Sequence, residues 1–303
     1  MLRDIDIINT IKGRELEVGN LDFFATHRCN LRCRHCYLGK VSAKELKPEV
    51  ADAVLSYFKT AHNINLLGGE STRSTSGLRV LDSALKEHKT RFGHIGMVSN
   101  FAVYDDRAEE NLEILESIAR KSDSDLLQHW NAPVVQIAAS NDGWHVEELE
   151  RRGITAEMRK ENMAKMKAKH PKFWFGYGLG TGFDDYVSKW NYRVAPIGNA
   201  RKLSTSEARF TAPKWGEDLR IEMVSMHGTA EVARFAVTAT GKVVKDLSVD
   251  LVQSETQNLG DVLVTPIEDI LIEHGIGARG FDSNPEEFMR REKEMSDLMA
   301  IVR

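Results

Sequence analysis

Short apolar runs alternate with amphipathic stretches over most of the chain, and that alternation limits the fold more than any other feature. Runs at 21–25, 64–67, 95–99, 134–139, 173–177 and 192–195 have the length and composition of buried strands. Between them lie helical patterns. One opens at Pro48 and carries Val50, Val54, Leu55 and Phe58 on one face. Others span 77–89 and 109–120, and Thr155 is placed to cap a basic helix at 158–170. Strand–helix–strand repetition of this kind predicts a parallel sheet in an α/β protein. Six such units suggest an incomplete (β/α)6 TIM-like barrel over residues 1–203. The pattern then changes. Residues 231–237, Thr240-Gly241 and 242–244 suggest a β-hairpin with a glycine turn. A short helix at 267–273 follows Pro266, and 285–301 is charged and helical in pattern. With no repeat and no low-complexity linker, residues 204–303 are expected to form a packed C-terminal α+β extension.

The chain has 303 residues, 42% hydrophobic and 28% charged, which suits a globular protein with an ample core. No run of about 18 apolar residues predicts a membrane span. Acids interrupt the apolar N-terminal stretch, a poor pattern for a signal peptide, so a reducing cytoplasm is the expected compartment. A net charge of −4 does not fit a dedicated nucleic-acid binder. The basic stretch 158–170 has lysines at helical spacing opposite Met163 and Met166, the pattern of a solvated helix face.

All three cysteines, Cys29, Cys33 and Cys36, fall within eight residues, spaced C-x3-C-x2-C, just after the first expected strand. Three cannot pair as disulfides without a remainder. Thiolates are the usual ligands of iron–sulfur clusters, and three of them would leave one iron of a four-iron cluster open to a small molecule. A zinc site of the three cysteines with His35 or His27 fits the same donors, although no second C-x2-C knuckle follows.

The cysteine loop resembles that of the radical S-adenosylmethionine (radical SAM) enzymes, and further segments match in order. Gly68-Gly69-Glu70 is similar to the family's Gly-Gly-Glu-Pro segment that binds the SAM amino group, with Ser71 in place of proline. Ser99-Asn100 stands where the family often has Thr-Asn-Gly, with Phe101 replacing glycine; Asn100 equally suits a plain turn. Ser140-Asn141-Asp142-Gly143 resembles the Ser-Leu-Asp-Gly segment of the peptide- and protein-modifying branch, or is an Asn-Asp-Gly turn. The glycine-rich stretch 175–182 lacks the context of a dinucleotide fingerprint and suggests a flat backbone wall near adenine. Pro196-Ile197-Gly198-Asn199-Ala200-Arg201 is similar to a Pro-x-Gly-Arg-Ala segment, and Arg201 suits a carboxylate or a plain surface position. Residues 239–246 and 258–271 look like the SPASM extension, but without its auxiliary-cluster cysteines.

The resemblance implies one 4Fe-4S cluster on Cys29, Cys33 and Cys36. It implies SAM held by Gly68, Gly69, Glu70, Ser99, Asn100, Ser140 and Asp142. It also implies a low-potential electron donor such as flavodoxin or ferredoxin. The expected reaction is reductive cleavage of SAM and hydrogen abstraction from a peptide or small-molecule substrate. With no cysteine beyond Cys36, a hydrogen donor within the chain would be a tyrosine: Tyr37, Tyr104 or Tyr177. His145, near the end of the fourth strand, is a candidate general base. The alternative is a non-catalytic iron–sulfur or zinc protein acting through a partner.

Overall fold

The computed structural model describes residues 11, 15–36, 38, 41–127, 133–140, 143–176, 193–194, 209–210, 220–224, 229–244, 258–274 and 276–277. The helix expected at 285–301, segment 196–201 and most of the glycine stretch 175–182 lie outside them.

Five strands follow one another in parallel: β1 (Glu17–Thr26), β2 (Thr60–Gly68), β3 (Arg91–Ser99), β4 (Val135–Ala139) and β5 (Trp174–Gly176). The crossovers carry α1 (Pro48–Tyr57), α2 (Thr75–His88) and α3 (Asp106–Ala119), then the short α4 (Ser124–Leu127). After β4 come α5 (Gly143–Arg151) and α6 (Ala156–Lys169). Local chemistry sets the helix starts. Pro48 occupies the first turn of α1. Asp105 and Thr155 accept hydrogen bonds from the N–H groups of Ala108 and Met158, capping α3 and α6.

The expected sixth strand is off this sheet. β6 (Arg193–Val194) pairs instead with β7 (Arg209–Phe210) in a separate two-stranded sheet. On the other side of β1 lies β9 (Thr229–Val237), parallel to it, with Leu21 opposite Phe235 and Phe23 opposite Val237. The hairpin of β9 with β10 (Lys242–Val244) forms as expected, around Gly241 at φ +98°. β11 (Asn258–Asp261) extends that edge and packs near α7 (Ile267–His274). β8 (Arg220–Val224) pairs antiparallel with the start of β9, and β12 (Ile276–Gly277) pairs with β8. The strands of residues 220–277 thus complete the sheet begun by residues 17–26. Hydrophobic burial explains the placement. Phe235 and Val237 join Leu21, Phe23, Ile64, Leu66, Ile95, Met97 and Ile137 in one core under α1, α2 and α3. The Phe235 ring lies 5.1 Å from that of Phe58.

The opposite face of the sheet is built differently, because strand side chains alternate. One row across it is Ala236, Asp22, Asn65, Gly96, Gln136 and Trp174, each opposite the next. The row below includes Arg234, Asn20, Asn63 and His94. The row above, toward the strand C-termini, has Phe24 opposite Leu67, and Val98, Ala138 and Gly176 opposite one another. Val98 is 42% and Trp174 38% exposed on this face. The sheet therefore has one dry, helix-covered side and one polar side whose upper rim is apolar.

Phe235→Ala is expected to destabilise the whole protein by about 3–5 kcal/mol, the usual cost of emptying a buried phenylalanine site. Urea unfolding of the variant should remain one transition. Two transitions, the first sparing the β1–β5 half, would show that β9 belongs to an independent unit.

Candidate functional site

The cysteine loop leaves the C-terminal end of β1 and returns at Glu45, which bridges Thr26. Its neck is closed by hydrogen bonds from His27 N–H to Lys44 O (2.8 Å), Ser42 N–H to His27 O (3.1 Å) and Leu46 N–H to Ala25 O (2.9 Å). Within it Cys33 is buried and Cys29 and Cys36 half-buried. All three pack in one small cluster with Leu31, Ala102, Leu149 and Ile154. Burial first, and the Glu70 carboxylate second, push the Cys29 thiol up to about 12. A metal bound there would have to displace a tightly held proton. Two thiolates on one zinc stand roughly 3.8 Å apart. Among the described residues, the group of three or more His, Cys, Asp or Glu donors that all lie within 4.8 Å is Asp52, Glu87 and His88, on the outer helices. The three thiols do not all lie within that distance of one another. Thiolate donors suit an iron–sulfur cluster.

Gly68 and Gly69 lie directly against this loop. Gly68 has φ +123°, and a Cβ on it would sit 2.0 Å from Thr26 O; a Cβ on Gly69 would sit 1.9 Å from Arg28 O. Only glycine permits this approach. The N–H groups of Gly69 and Glu70 donate to Thr26 O and Arg28 O, both at 2.7 Å. The strip therefore has no such donors to spare for a carboxylate, while its Gly69 carbonyl has no partner among the described residues. Glu70 is buried, and its carboxylate accepts from the Thr72 hydroxyl (2.7 Å) and from Asn100 N–H (2.8 Å). It ties the end of β2 to the end of β3.

The turn after β3 is wired throughout. Phe101 N–H donates to the Ser99 hydroxyl (3.1 Å), and Ala102 N–H to Asn100 Oδ1 (2.9 Å). Asn100 Nδ2 donates to Asn30 Oδ1 in the cysteine loop (2.8 Å). Ser140 N–H donates to Ser99 O (2.8 Å), which joins the ends of β3 and β4. Phe101 is held at φ +52°, a left-handed conformation that costs a side-chain-bearing residue about 1–2 kcal/mol. Sequence reasoning missed what supports it. Arg159 of α6 is 2% exposed and donates to Asn100 O (2.8 Å) and Ser140 O (2.7 Å). Its position four and seven residues before Met163 and Met166 places it on the helix's apolar face, a signal present in the sequence.

Helix α5 braces the cysteine loop. His35 stacks on Trp144 at 5.0 Å and meets His145 edge-on at 4.7 Å. Glu148, also missed from sequence, is buried and accepts Arg32 N–H at 3.0 Å. The guanidinium of Arg151, then that of Arg152 and the Arg32 N–H, hold its carboxyl down at about 2.

Farther down the polar face, Arg234 pairs with Asp22, whose other oxygen accepts from Asn65 at 2.7 Å. Burial raises the Asp22 carboxyl above its ordinary range, opposed by Arg234. The indole of Trp174 lies over Gly176, where a Cβ would meet it at 2.2 Å. Tyr104 hydrogen-bonds Glu109 beneath Lys169, on the helix side. Tyr37, Tyr177 and Asp142 lie outside the described residues. Thus Cys29, Cys33, Cys36, Gly68, Gly69, Glu70, Ser99, Asn100, Ser140 and His145 gather at the C-terminal end of the sheet.

No family model and no curated protein matches the chain. Among solved structures, it is similar to SuiB of Streptococcus suis bound to S-adenosylmethionine, with 12% identity over 84% of this chain and TM-score 0.44. This chain spans 64% of SuiB. It is also similar to native anSMEcpe with bound AdoMet and Cp18Cys peptide, at 12% identity, over 84% of this chain and 80% of that one, with TM-score 0.40. A third is BtrN in an open conformation, at 12% identity, over 92% and 86% of the two chains, also with TM-score 0.40.

Gly69→Ala is expected to force the two loops apart and to cost about 1–3 kcal/mol of stability. Iron bound per chain after anaerobic reconstitution should fall with it; unchanged iron content and stability would show that the close approach is dispensable. The folded-state value of Glu148 lies below its ordinary 4.5, so its stabilisation is complete above that pH and is lost as pH falls through about 2. The stability gap between wild type and Glu148→Gln, read from urea titrations, should therefore be widest near neutrality and close as pH drops from about 4.5 toward 2.

Proposed function

We propose that the chain is a radical SAM enzyme acting on a peptide or small-molecule substrate. The observation that carries this reading is the gathering of three cysteines, with no fourth in the chain, against a glycine strip at the C-terminal end of a parallel sheet. That end is where α/β sheets bind ligands. Cys29, Cys33 and Cys36 would hold a 4Fe-4S cluster with one iron left open. Bound there, such a cluster would supply the electron for reductive cleavage of SAM, the chemistry by which a hydrogen atom would be taken from the substrate.

The chain's residues divide the remaining work. The N–H groups of Gly69 and Glu70 are taken by the neighbouring loop, and the Gly69 carbonyl beside the cysteines would suit the ammonium group of SAM. Glu70, Ser99 and Asn100 set the strip and the turn in place through hydrogen bonds to backbone, and Ser140 continues the rim; Asp142 is assigned to SAM on the sequence resemblance alone. We read the parallel strands β1–β5 as part of an incomplete barrel. The substrate would lie on its polar face, with its reacting carbon near the apolar row of Phe24, Leu67 and Val98 and its polar groups toward Gln136, Asn65 and Trp174. His145 is placed to exchange a proton beside the loop, and Tyr37 and Tyr177 are the candidate hydrogen donors. Electrons would come from a low-potential donor such as flavodoxin or ferredoxin.

The test is anaerobic. Protein reconstituted with iron and sulfide, reduced with dithionite and given SAM should form 5′-deoxyadenosine, and Cys33→Ala should reduce it to the background of a protein-free control. Zinc in place of iron in anaerobically purified protein would overturn the reading in favour of a metal-binding protein that works through a partner. So would a fully loaded cluster that leaves SAM intact in the presence of candidate peptides.

A further inference from the structure

Arg159 is a buried guanidinium that donates to two backbone carbonyls at the rim of the site. Nε reaches Asn100 O at 2.8 Å, and a terminal nitrogen reaches Ser140 O at 2.7 Å. One turn along α6, Asn162 Nδ2 reaches Phe101 O at 3.0 Å. Three consecutive carbonyls of the turn, at Ser99, Asn100 and Phe101, are thereby taken by Ser140 N–H, Arg159 and Asn162. The N–H groups of Asn100, Phe101 and Ala102 are taken by Glu70, Ser99 and the Asn100 side chain. A bulky residue in left-handed conformation persists where its surroundings over-determine it, and Phe101, fully buried at φ +52°, is in that state. The same turn passes its position to the cysteine loop through Asn100 and Asn30.

We propose that Arg159, assisted by Asn162, is a positioning residue that clamps the β3 and β4 rims in the geometry that binds SAM, by holding Phe101 in its left-handed conformation. The proposal rests on the radical SAM reading. The guanidinium suits the task because its planar fork serves two acceptors at fixed spacing, which a lysine ammonium on one flexible stem does not. The two rims belong to successive sheet crossovers, and α6 is the element that reaches both. Loosening the clamp would free the Asn100 and Ser140 carbonyls and let Phe101 relax toward an ordinary backbone conformation. That would move the rim without removing a cluster ligand.

The experiment uses reconstituted full-length wild type, Arg159→Met, Arg159→Lys and the double variant Arg159→Met with Phe101→Gly. Iron content, SAM affinity by equilibrium dialysis, and hydrogen exchange at the amides of residues 100–102 and 140 are measured on each. Loss of a charge-assisted hydrogen bond predicts SAM binding weaker by about tenfold or more in Arg159→Met, with a similar rise in exchange at those amides and unchanged iron content. Arg159→Lys should fall between it and wild type. Glycine at 101 removes the conformational penalty while emptying a buried aromatic site, so the double variant should recover SAM affinity relative to Arg159→Met even as its stability falls, a rescue that general destabilisation would not produce. Wild-type affinity in both single variants, or a double variant no better than Arg159→Met, overturns the clamp while leaving the radical SAM reading standing. A wild type that carries its cluster and binds no SAM overturns that reading and the clamp's purpose with it. If Arg159→Met does not fold, Arg159→Lys and its combination with Phe101→Gly decide by the same comparison.

Discussion

Backbone meets backbone where the ends of β1 and β2 lie side by side, and the rest of the site depends on that seam. Gly68 and Gly69 come so close to Thr26 and Arg28 that no Cβ fits between them. The hydrogen bonds from Gly69 and Glu70 then fasten the seam. This contact sets where the cysteine loop begins, and it aims Glu70 across to β3, where its carboxylate takes the N–H of Asn100. From there the wiring continues through Asn30 back to the cysteine loop and through Arg159 to β4. Two of these connections, through the Glu70 carboxylate and the Arg159 guanidinium, are charge-assisted. Together the connections join four loops, beside the apolar cluster of Leu31, Cys33, Ala102 and Leu149. The mechanical stiffness of the site comes from polar groups, and the stability of the sheet beneath it comes from the helix-covered core.

Burial divides the molecule's two faces by function. The helix side is closed by aliphatic and aromatic residues at alternate strand positions, and its only task is stability. The other side keeps asparagines, Gln136 and a buried Asp22–Arg234 pair on a surface that still meets solvent at Val98 and Trp174. A buried ion pair is weak evidence for stability, since desolvation offsets the attraction. Its presence at the floor of the polar face is better understood as a feature that shapes what can lie there. A similar economy appears in α5, where Glu148, Trp144 and His145 all turn toward the cysteine loop.

Much of the site was legible in the sequence because its chemistry is local. The spacing of three cysteines and the order of Gly-Gly-Glu, Ser-Asn and Ser-Asn-Asp-Gly after successive apolar runs marked the strand ends that the structure brings together. The role of individual groups was less legible. Gly-Gly-Glu suggested a segment for the SAM amino group, and the structure shows the N–H groups of Gly69 and Glu70 consumed by the neighbouring loop. Arg159 looked like one more cation of a solvated helix, although its spacing to Met163 and Met166 already put it on the buried face. Glu148 gave no signal at all, because its partner Arg32 is 116 residues away.

Sequence by itself determined the elements: alternating strands and helices, a cap at Thr155, the hairpin at Gly241, and a cluster of thiols at the end of the first strand. These depend on periodicity, dihedral preference and donor type, which neighbouring residues carry. Tertiary structure alone decided that β9 lies beside β1 and that the sixth apolar run pairs with residues 209–210. It also decided which backbone groups at the rim are taken by neighbouring loops. Those outcomes are set by pairing between distant segments. Alternation says which face of a strand is dry, but only packing says which strand stands next to it.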